Sequence, residues 1–401
     1  MRMESNGRRR RWLPTSLVLA ALLASAWLAS TSFAATALAA EPTASDDAGY
    51  AAPGYPKYHP GQAVVERGEM QIRLHTRIEL RAGLLAGEDN QLDRGDLVER
   101  PGFAIPRARF GLQGHFAKHV PFTIVTDLVG SPLTDAWIGY DRFHFLKMWF
   151  GARTVPFSRS AILSSADAAL SERSRSSNAM APFRQVGLTV GGDYGLLGLS
   201  WRLGVYNGFD RGATFYLGAV NSSGLHGNKF HGLSTVARLQ VEPMGKIGPS
   251  VHDLSGGKLR LAVGGGAYMN DGGGITGAGY SADLHLKVAG VHLLAEWIRD
   301  NASPKDRPTT ASTIPETLTR EAISAELGYV WNKMTFAARV ELVNPNTTVK
   351  NSDDEMWVSA AVGRTLVGNL LRVWLQYDHR REQAGLPFDN DSLLFKIMLR
   401  L

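Results

Sequence analysis

The side chains of this sequence best suited to chemistry are its arginines. Arg73, Arg77 and Arg81 recur at every fourth residue of a segment in which apolar and polar residues alternate. On an extended strand rising ~3.3 Å per residue they share one face and stand about 13 Å apart. A guanidinium does not titrate in water and donates two parallel hydrogen bonds, so it suits phosphate and other oxyanions. Such a ladder can hand an oxyanion along the strand, or pair instead with neighbouring acids such as Glu79. The same polar face continues in Arg107 and Arg109, then in Lys147, Arg153, Arg202, Arg238, Arg260, Arg339 and Arg372 on later segments of the same kind. Residues 154–183 form a long stretch rich in Ser and Ala that carries Arg159, Glu172, Arg173 and Arg175.

Other chemistry finds less support. The chain has no Cys, which excludes disulfides, Cys-based zinc sites and thiol catalysis. His226 and His231 share one long loop without a nearby acid and read as loop residues rather than metal ligands. Gly264-Gly265-Gly266 and Gly272-Gly273-Gly274 lack a following helix and a Lys-Ser/Thr pair, which argues against nucleotide binding. Small residues on a barrel wall allow close packing at a subunit interface or under a loop. His115, His285 and His292 fall on strands, but no spacing singles out a partner serine for a hydrolase. The reading is therefore a non-enzyme with no cofactor and no metal.

These residues must be held by extended elements. Ile72, Leu74, Thr76, Ile78 and Leu80 point one way while Arg73, His75, Arg77, Glu79 and Arg81 point the other. Ala108, Phe110, Leu112 and Phe116 oppose Arg107, Arg109, Gln113 and His115, and Leu393 to Leu401 repeats the pattern. About sixteen such segments follow one another, at 69–81, 104–116, 121–127, 133–140, 144–153, 184–192, 198–207, 233–243, 258–270, 278–288, 291–300, 321–330, 334–343, 355–366, 369–380 and 391–401. Most approach the 9–11 residues that a tilted membrane strand needs. Long connections alternate with short ones, as in a barrel with long outer loops and tight inner turns. Two connections break that rhythm: 128–132 is short where a long one belongs, and 244–257 is long where a short one belongs. Tyr140, Trp149, Trp297, Tyr329, Trp331 and Tyr377 sit where interfacial girdles are expected.

Ahead of the barrel pattern come two further parts. Residues 1–39 hold Arg8 to Arg11, an apolar run from Leu13 to Phe33 and the small-residue site Ala37-Leu38-Ala39, the layout of a secretory signal peptide. Residues 40–68 are rich in Pro and Ala and read as a periplasmic spacer. The barrel then occupies 69–401. Without the signal segment the chain holds 38 basic and 36 acidic residues, so a globally basic nucleic-acid binder is not indicated. On the alternation, the inward face carries 17 basic residues, Lys258, Lys287, Arg380, Lys396 and Arg400 among them, against 9 acids. Inside a low-dielectric tube that excess favours anions. The segment 154–183, in the third outer position, is the expected constriction loop. Arg299 and Arg364 fall on the apolar face, near segment ends.

The chain resembles the phosphate-selective porin family of the O and P type. Pro106-Arg107-Ala108-Arg109-Phe110-Gly111-Leu112-Gln113-Gly114 is similar to its second-strand signature, and Asp135-Ala136-Trp137-Ile138-Gly139-Tyr140 to its Asp-Ala-aromatic-aliphatic-Gly-Tyr motif. Gly151 through Pro156-Phe157-Ser158, Glu172-Arg173-Ser174, Arg184-Gln185-Val186-Gly187 and Gly204-Val205-Tyr206-Asn207-Gly208 follow in the family's order. The resemblance implies a sixteen-stranded outer-membrane barrel of a Gram-negative bacterium, usually a homotrimer. It would sit in outer-membrane lipid and pass phosphate or other small anions by diffusion through a water-filled channel. The sequence departs from the family at Pro106, where Arg is frequent, and at Leu401, where the barrel-assembly machinery usually reads Phe or Trp. The resemblance also implies lysines in the constriction of phosphate-specific members, and here Lys147 alone lies near it among 11 Lys and 32 Arg. The alternatives are a non-selective general porin and a structural or surface barrel plugged by its own loops.

Overall fold

A computed structural model of the protein describes residues 64–85, 101–129, 133–209, 232–272, 274–305, 317–350, 354–367, 370–384 and 391–400. The signal segment, most of the spacer, His226, His231 and Leu401 lie outside the described residues. Among the described residues there are seventeen strands. A short β1 (Val64–Arg67) leads into β2 (Met70–Leu85), β3 (Gly102–Ala117), β4 (Val120–Asp127), β5 (Asp135–Phe143) and β6 (Leu146–Thr154). Then come β7 (Arg184–Tyr194), β8 (Leu199–Asn207), β9 (Gly232–Val241), β10 (Arg260–Gly272), β11 (Ile275–Val288) and β12 (Val291–Pro304). β13 (Leu318–Trp331), β14 (Met334–Asn344), β15 (Glu355–Val367), β16 (Leu371–Glu382) and β17 (Ser392–Arg400) complete the chain.

From β2 onward each strand pairs antiparallel with its successor, and β17 returns to β2 with Ile397 opposite Leu80. The result is a closed sixteen-strand antiparallel barrel, so no edge is left among β2 to β17. All sixteen segments read from the alternation are strands, within a few residues at each end. The expected spacer is shorter than 40–68, because Val64–Arg67 already pairs back onto β2, with Val65 opposite Ile72. Among the described residues no helix is long and apolar enough to cross a membrane.

The period of two sorts the side chains. Ile78, Leu80, Phe110, Leu112 and Phe116 are exposed on the outside, whereas Arg77, Glu79 and Arg81 between them are buried inside. Arg299 and Arg364 are exposed on the outer face, as their positions require. Tyr329, Trp331 and Tyr377 are exposed there too, as girdle residues would be. Trp149 is not a girdle residue. It shares a face with Lys147 and Arg153, is 2% exposed inside the barrel, and carries Arg153 and Arg202 over its ring at 4.5 and 5.5 Å. Lys258 also leaves the inward set, since it precedes β10 and is exposed.

One end of the barrel carries tight turns. Ala289-Gly290 and Asn332-Lys333 are two-residue hairpins with both φ values positive, the geometry that matches the strand twist. The rhythm of connections breaks once more, and the long connection expected at 244–257 takes an unexpected course. At the other end β10 and β11 are joined by a short connection, with Gly272 already opposite Ile275. At the tight-turn end the long connection 242–259 does not hang outside: Ile247, Val251, His252 and Asp253 are buried.

The apolar core is inside the barrel. Val155, Phe157, Ala161, Met180 and Phe183 of the 155–183 segment pack on Tyr206, Tyr268, Ile298 and Val343 of the wall. Leu163, Ala169 and Leu170 pack on Val251, Leu294, Ala337 and Ala361, and Ala166 packs on Trp374 and Met398. Phe157 meets Tyr268 edge-on at 5.1 Å. Fully burying a Leu or Phe contributes about 1.5–3 kcal/mol, so this segment is held by its own core rather than draped over the mouth. The first glycine run has its use here. A Cβ on Gly266 would lie 2.4 Å from the Phe157 carbonyl oxygen, so only glycine lets the segment's backbone rest on β10.

Candidate pore constriction

The Ser-rich composition of 155–183 is a set of helix caps. Ser158 Oγ accepts from the Ala161 N–H at 3.2 Å and starts the helical turn Arg159–Ile162. Ser164 caps the 3-10 turn Ser165–Asp167, and Ser174 accepts from the Ser177 N–H at 3.2 Å to start Arg175–Met180. Each cap satisfies an otherwise orphaned backbone donor, worth typically about 1 kcal/mol. Three capped turns give the segment a fixed shape that can hold charge in place.

Its centre is Glu172. The Arg107 fork donates to both carboxylate oxygens at 2.7 Å, Arg81 donates a second contact, and Lys396 Nζ lies 3.7 Å away. Arg107 also donates to Glu79 at 2.8 Å, Lys396 approaches Glu79 at 3.0 Å, and Arg77 completes that side. Two carboxylates thus sit among four cations. Burial opposes ionisation of Glu172, but Arg107, Lys396 and Arg81 around it hold its carboxyl well below the usual carboxylate range. Next to it Arg173 is in the opposite situation. Burial, then repulsion from Arg184, Arg107, Arg109 and Arg77, pushes its guanidinium well below the usual arginine range. It is kept in place by donating to the Leu163 carbonyl at 3.0 and 2.7 Å and by lying over Phe183.

Many of the arginines expected to line the pore are fasteners of this segment. Arg77 donates to Ser165 Oγ at 3.0 Å. Arg238 donates to the Phe157 carbonyl at 2.8 Å while paired with Asp283 at 2.7 Å. Arg339 donates to the carbonyls of Glu172 and Arg173 at 3.0 and 3.1 Å and pairs with Glu341 at 2.6 Å. Arg372 donates to the Ala166 carbonyl at 2.8 Å and lies over Trp374. Arg159, on the segment itself, reaches Gln240 at 2.6 Å. Arg202 and Lys147 share Asp193, each at 2.8 Å, and Arg260 pairs with Asp253. Arg175 lies over Trp357 at 5.4 Å. The ladder is divided: Arg73 is partly exposed and donates to Gln71, whereas Arg77 and Arg81 are buried beneath the segment.

Most charged residues that still meet water inside are gathered on one side. Arg73, Arg107, Arg109, Lys147, Arg153 and Arg184 on β2, β3, β6 and β7 are partly accessible, as are Arg173 and Arg175 of the segment and Arg400 at the end of β17; Arg260 on β10, paired with Asp253, is the exception. The acids accessible beside them are Asp135, Asp167 and Asp193. Asp135 takes the Arg184 fork at 3.1 and 3.0 Å, and Asp167 takes Arg400 at 2.9 Å. On the far side the inward residues His285, Lys287, Glu296, Asp300, Arg320, Glu341 and Asp378 are all buried. Sequence reasoning placed Arg400 on the inward face but did not name Arg184 as a site residue, though Arg184 opens a quoted motif. Nor did it name Arg320, which pairs with Asp300 and donates to the Ala179 carbonyl at 3.1 Å. Arg320 falls one residue outside the expected strand.

The comparisons with known proteins agree with this architecture. Residues 79–245 match the model of the family described as phosphate-selective porin O and P. No curated protein sequence matches significantly. Among solved structures, an anion-selective porin from Comamonas acidovorans is 12% identical with a TM-score of 0.54, over 83% of this chain and 100% of that one. OprB from Pseudomonas putida is 12% identical with a TM-score of 0.53, over 83% and 94%. OmpT, an outer membrane protein of Vibrio cholerae, is 10% identical with a TM-score of 0.51, over 84% and 99%. At such identities the likeness is one of fold. Family match and barrel together indicate an outer-membrane diffusion channel rather than an enzyme. The resemblance read from residues 104–208 falls within the family-model match over residues 79–245, and the chain folds as a closed sixteen-strand barrel similar to those of the outer-membrane porins.

Proposed function

We propose that the channel prefers anions and passes phosphate or other small oxyanions along the wall of β2, β3, β6 and β7. One observation carries this reading: the accessible charge on that side of the lumen is nine arginine and lysine residues against Asp135, Asp167 and Asp193. Arginines in a narrow, low-dielectric passage raise the local anion concentration and lower the entry barrier. In this reading Arg73, Arg107, Arg109, Lys147, Arg153, Arg173, Arg175 and Arg184 face the permeating ion, while Arg77 and Arg81 fix the loop that narrows its path. The protein would reach the outer membrane after signal-peptide export, insert through the barrel-assembly machinery and assemble as a homotrimer.

Reversal potential in a KCl gradient across a planar bilayer tests it, followed by phosphate titration. Anion selectivity with block by phosphate well below the chloride concentration supports an oxyanion-binding pore; anion selectivity without block supports a general anion pore. Cation selectivity overturns the reading. Changing Arg73, Arg77 and Arg81 together to Gln is expected to shift selectivity toward cations, and unchanged selectivity removes the ladder. A second reading, a weakly selective porin, is favoured by the pairing of Arg184, Arg400 and Lys147 with the three accessible acids.

A further inference from the structure

The connection 242–259 joins β9 to β10 at the tight-turn end, yet it runs up into the lumen and meets a segment that enters from the opposite mouth. The Val251 N–H donates to the Asp167 carbonyl at 2.9 Å, and Arg159 donates to the Gly248 carbonyl at 3.4 Å. Val251 itself packs with Leu163, Leu170 and Leu294. The wall fastens the connection independently. Lys287 Nζ donates to the Ile247 carbonyl at 2.9 Å, and His285 Nε2 lies 2.9 Å from the Val251 carbonyl. Asp253, 1% exposed, accepts from the Gly290 N–H at 3.0 Å and pairs with Arg260. Gly245, Gly248, Gly256 and Gly257 all adopt positive φ at its two flanks, the conformations that reverse a chain into the barrel instead of away from it. A buried connection must satisfy its backbone, and here the carbonyls of Ile247, Gly248 and Val251 each find a partner from the wall or the outer segment.

We infer that this inner connection is the second half of the constriction. It clasps the outer segment from below and closes the half of the lumen along β10 to β14, which confines the passage to the arginine side. Between the two segments lies a small cavity of about 20 Å³, bordered by Ser160, Glu172, Arg173, Val251, Glu326 and Arg339. The consequence for selectivity rests on the anion-channel reading; the clasp itself does not. Removing it opens a second lane whose walls carry Glu296, Glu326 and Glu341 beside their cationic partners, so the pore becomes wider and less selective.

The test replaces residues 245–257 with Asn-Gly, a pair suited to a tight hairpin. The expected result is a single-channel conductance raised roughly twofold or more, as a larger aqueous cross-section requires, with the reversal potential moved toward zero. Unchanged conductance in a folded barrel overturns the inference. Raised conductance with undiminished selectivity overturns the confinement of the passage. If the wild-type channel proves non-selective while the replacement still raises conductance, the clasp stands and the anion reading falls. A second variant decides the case in which the replacement does not fold. The chain has no cysteine, so Asp167→Cys with Val251→Cys places the sole thiol pair across the contact. Oxidation is expected to cross-link it in the folded barrel without changing the conductance of the same variant in its reduced form. Failure to cross-link, or a conductance that changes on cross-linking, overturns the clasp.

Discussion

The wall of β2, β3, β6 and β7 and the wall of β11 to β16 point the same residue types inward, and they use them differently. On the first, Arg107 and Arg109 keep 20% and 14% of their side-chain surface accessible. On the second, Arg320 and Arg339 are buried against Asp300 and Glu341, with the constriction loop's carbonyls as further acceptors. The difference is one of cover. An arginine that keeps water can exchange its counter-charge for a passing anion. A buried one has already spent its desolvation on a fixed partner and cannot release it cheaply. Inward charge counted from alternation therefore says how a barrel is held as much as what it conducts.

The comparison breaks most visibly at Arg339. Changing it to Gln strands Glu341 and Glu326 and frees two loop carbonyls, and removal of one partner from a buried pair costs about 3–5 kcal/mol. The expected outcome is a lower denaturant midpoint for the folded barrel, or loss of the fold, with selectivity preserved in whatever inserts. Arg109→Gln is the counterpart on the open wall. There the stability loss is expected to be smaller, because Asp127 keeps the Ala108 and Val129 N–H donors, while the reversal potential moves toward cations. If Arg339→Gln shifts selectivity as far as Arg109→Gln without loss of stability, the two walls are not functionally distinct.

Glu172 joins the two regions, and its removal sharpens the contrast. Glu172→Gln takes the carboxylate partner from Arg81 and leaves Arg107 and Lys396 with Glu79 as their shared counter-charge. The node becomes more positive and the loop loses its central tie. Anion preference is expected to rise and open-channel noise to increase, both measured in single-channel records. A quiet channel with wild-type selectivity would show that Glu172 neither screens the passage nor holds the loop.

The strands were legible because a membrane barrel enforces alternation along every one of them. What alternation hides is the cover. β12 reads Val291-His292-Leu293-Leu294-Ala295-Glu296-Trp297-Ile298, apolar on both faces at Leu293 and Leu294 and again at Trp297 and Ile298. That doubled hydrophobicity is the signal that something packs against the inside, and Leu294 and Ile298 are indeed buried under the inner connection and the outer segment. The anomalous length of 244–257 was legible, and so were its glycines. Its direction was not, since the same positive-φ turns can lead a chain out of the mouth as well as in. Trp149 was misplaced by counting distance from a strand end when parity with Lys147 and Arg153 already set its side.

The smallest expected effect separates the two regions by pH. His252 lies buried in the inner connection. Burial, then Arg372, His292, Lys287 and His285 around it, holds its imidazole well below the ordinary histidine range. An undocked connection would let the same residue titrate near about 6.5. A group whose docked pKa is depressed favours docking in its neutral form. The docking energy is therefore fully present above about 6.5 and declines as the pH falls below that value, because the undocked state takes up the proton first. Conductance and open-channel noise are expected to rise between about pH 6.5 and 5. His252→Leu isolates the packed side: it should flatten the acid rise in conductance and noise. If the acid response of conductance survives unaltered in His252→Leu, the connection is not held by a neutral His252.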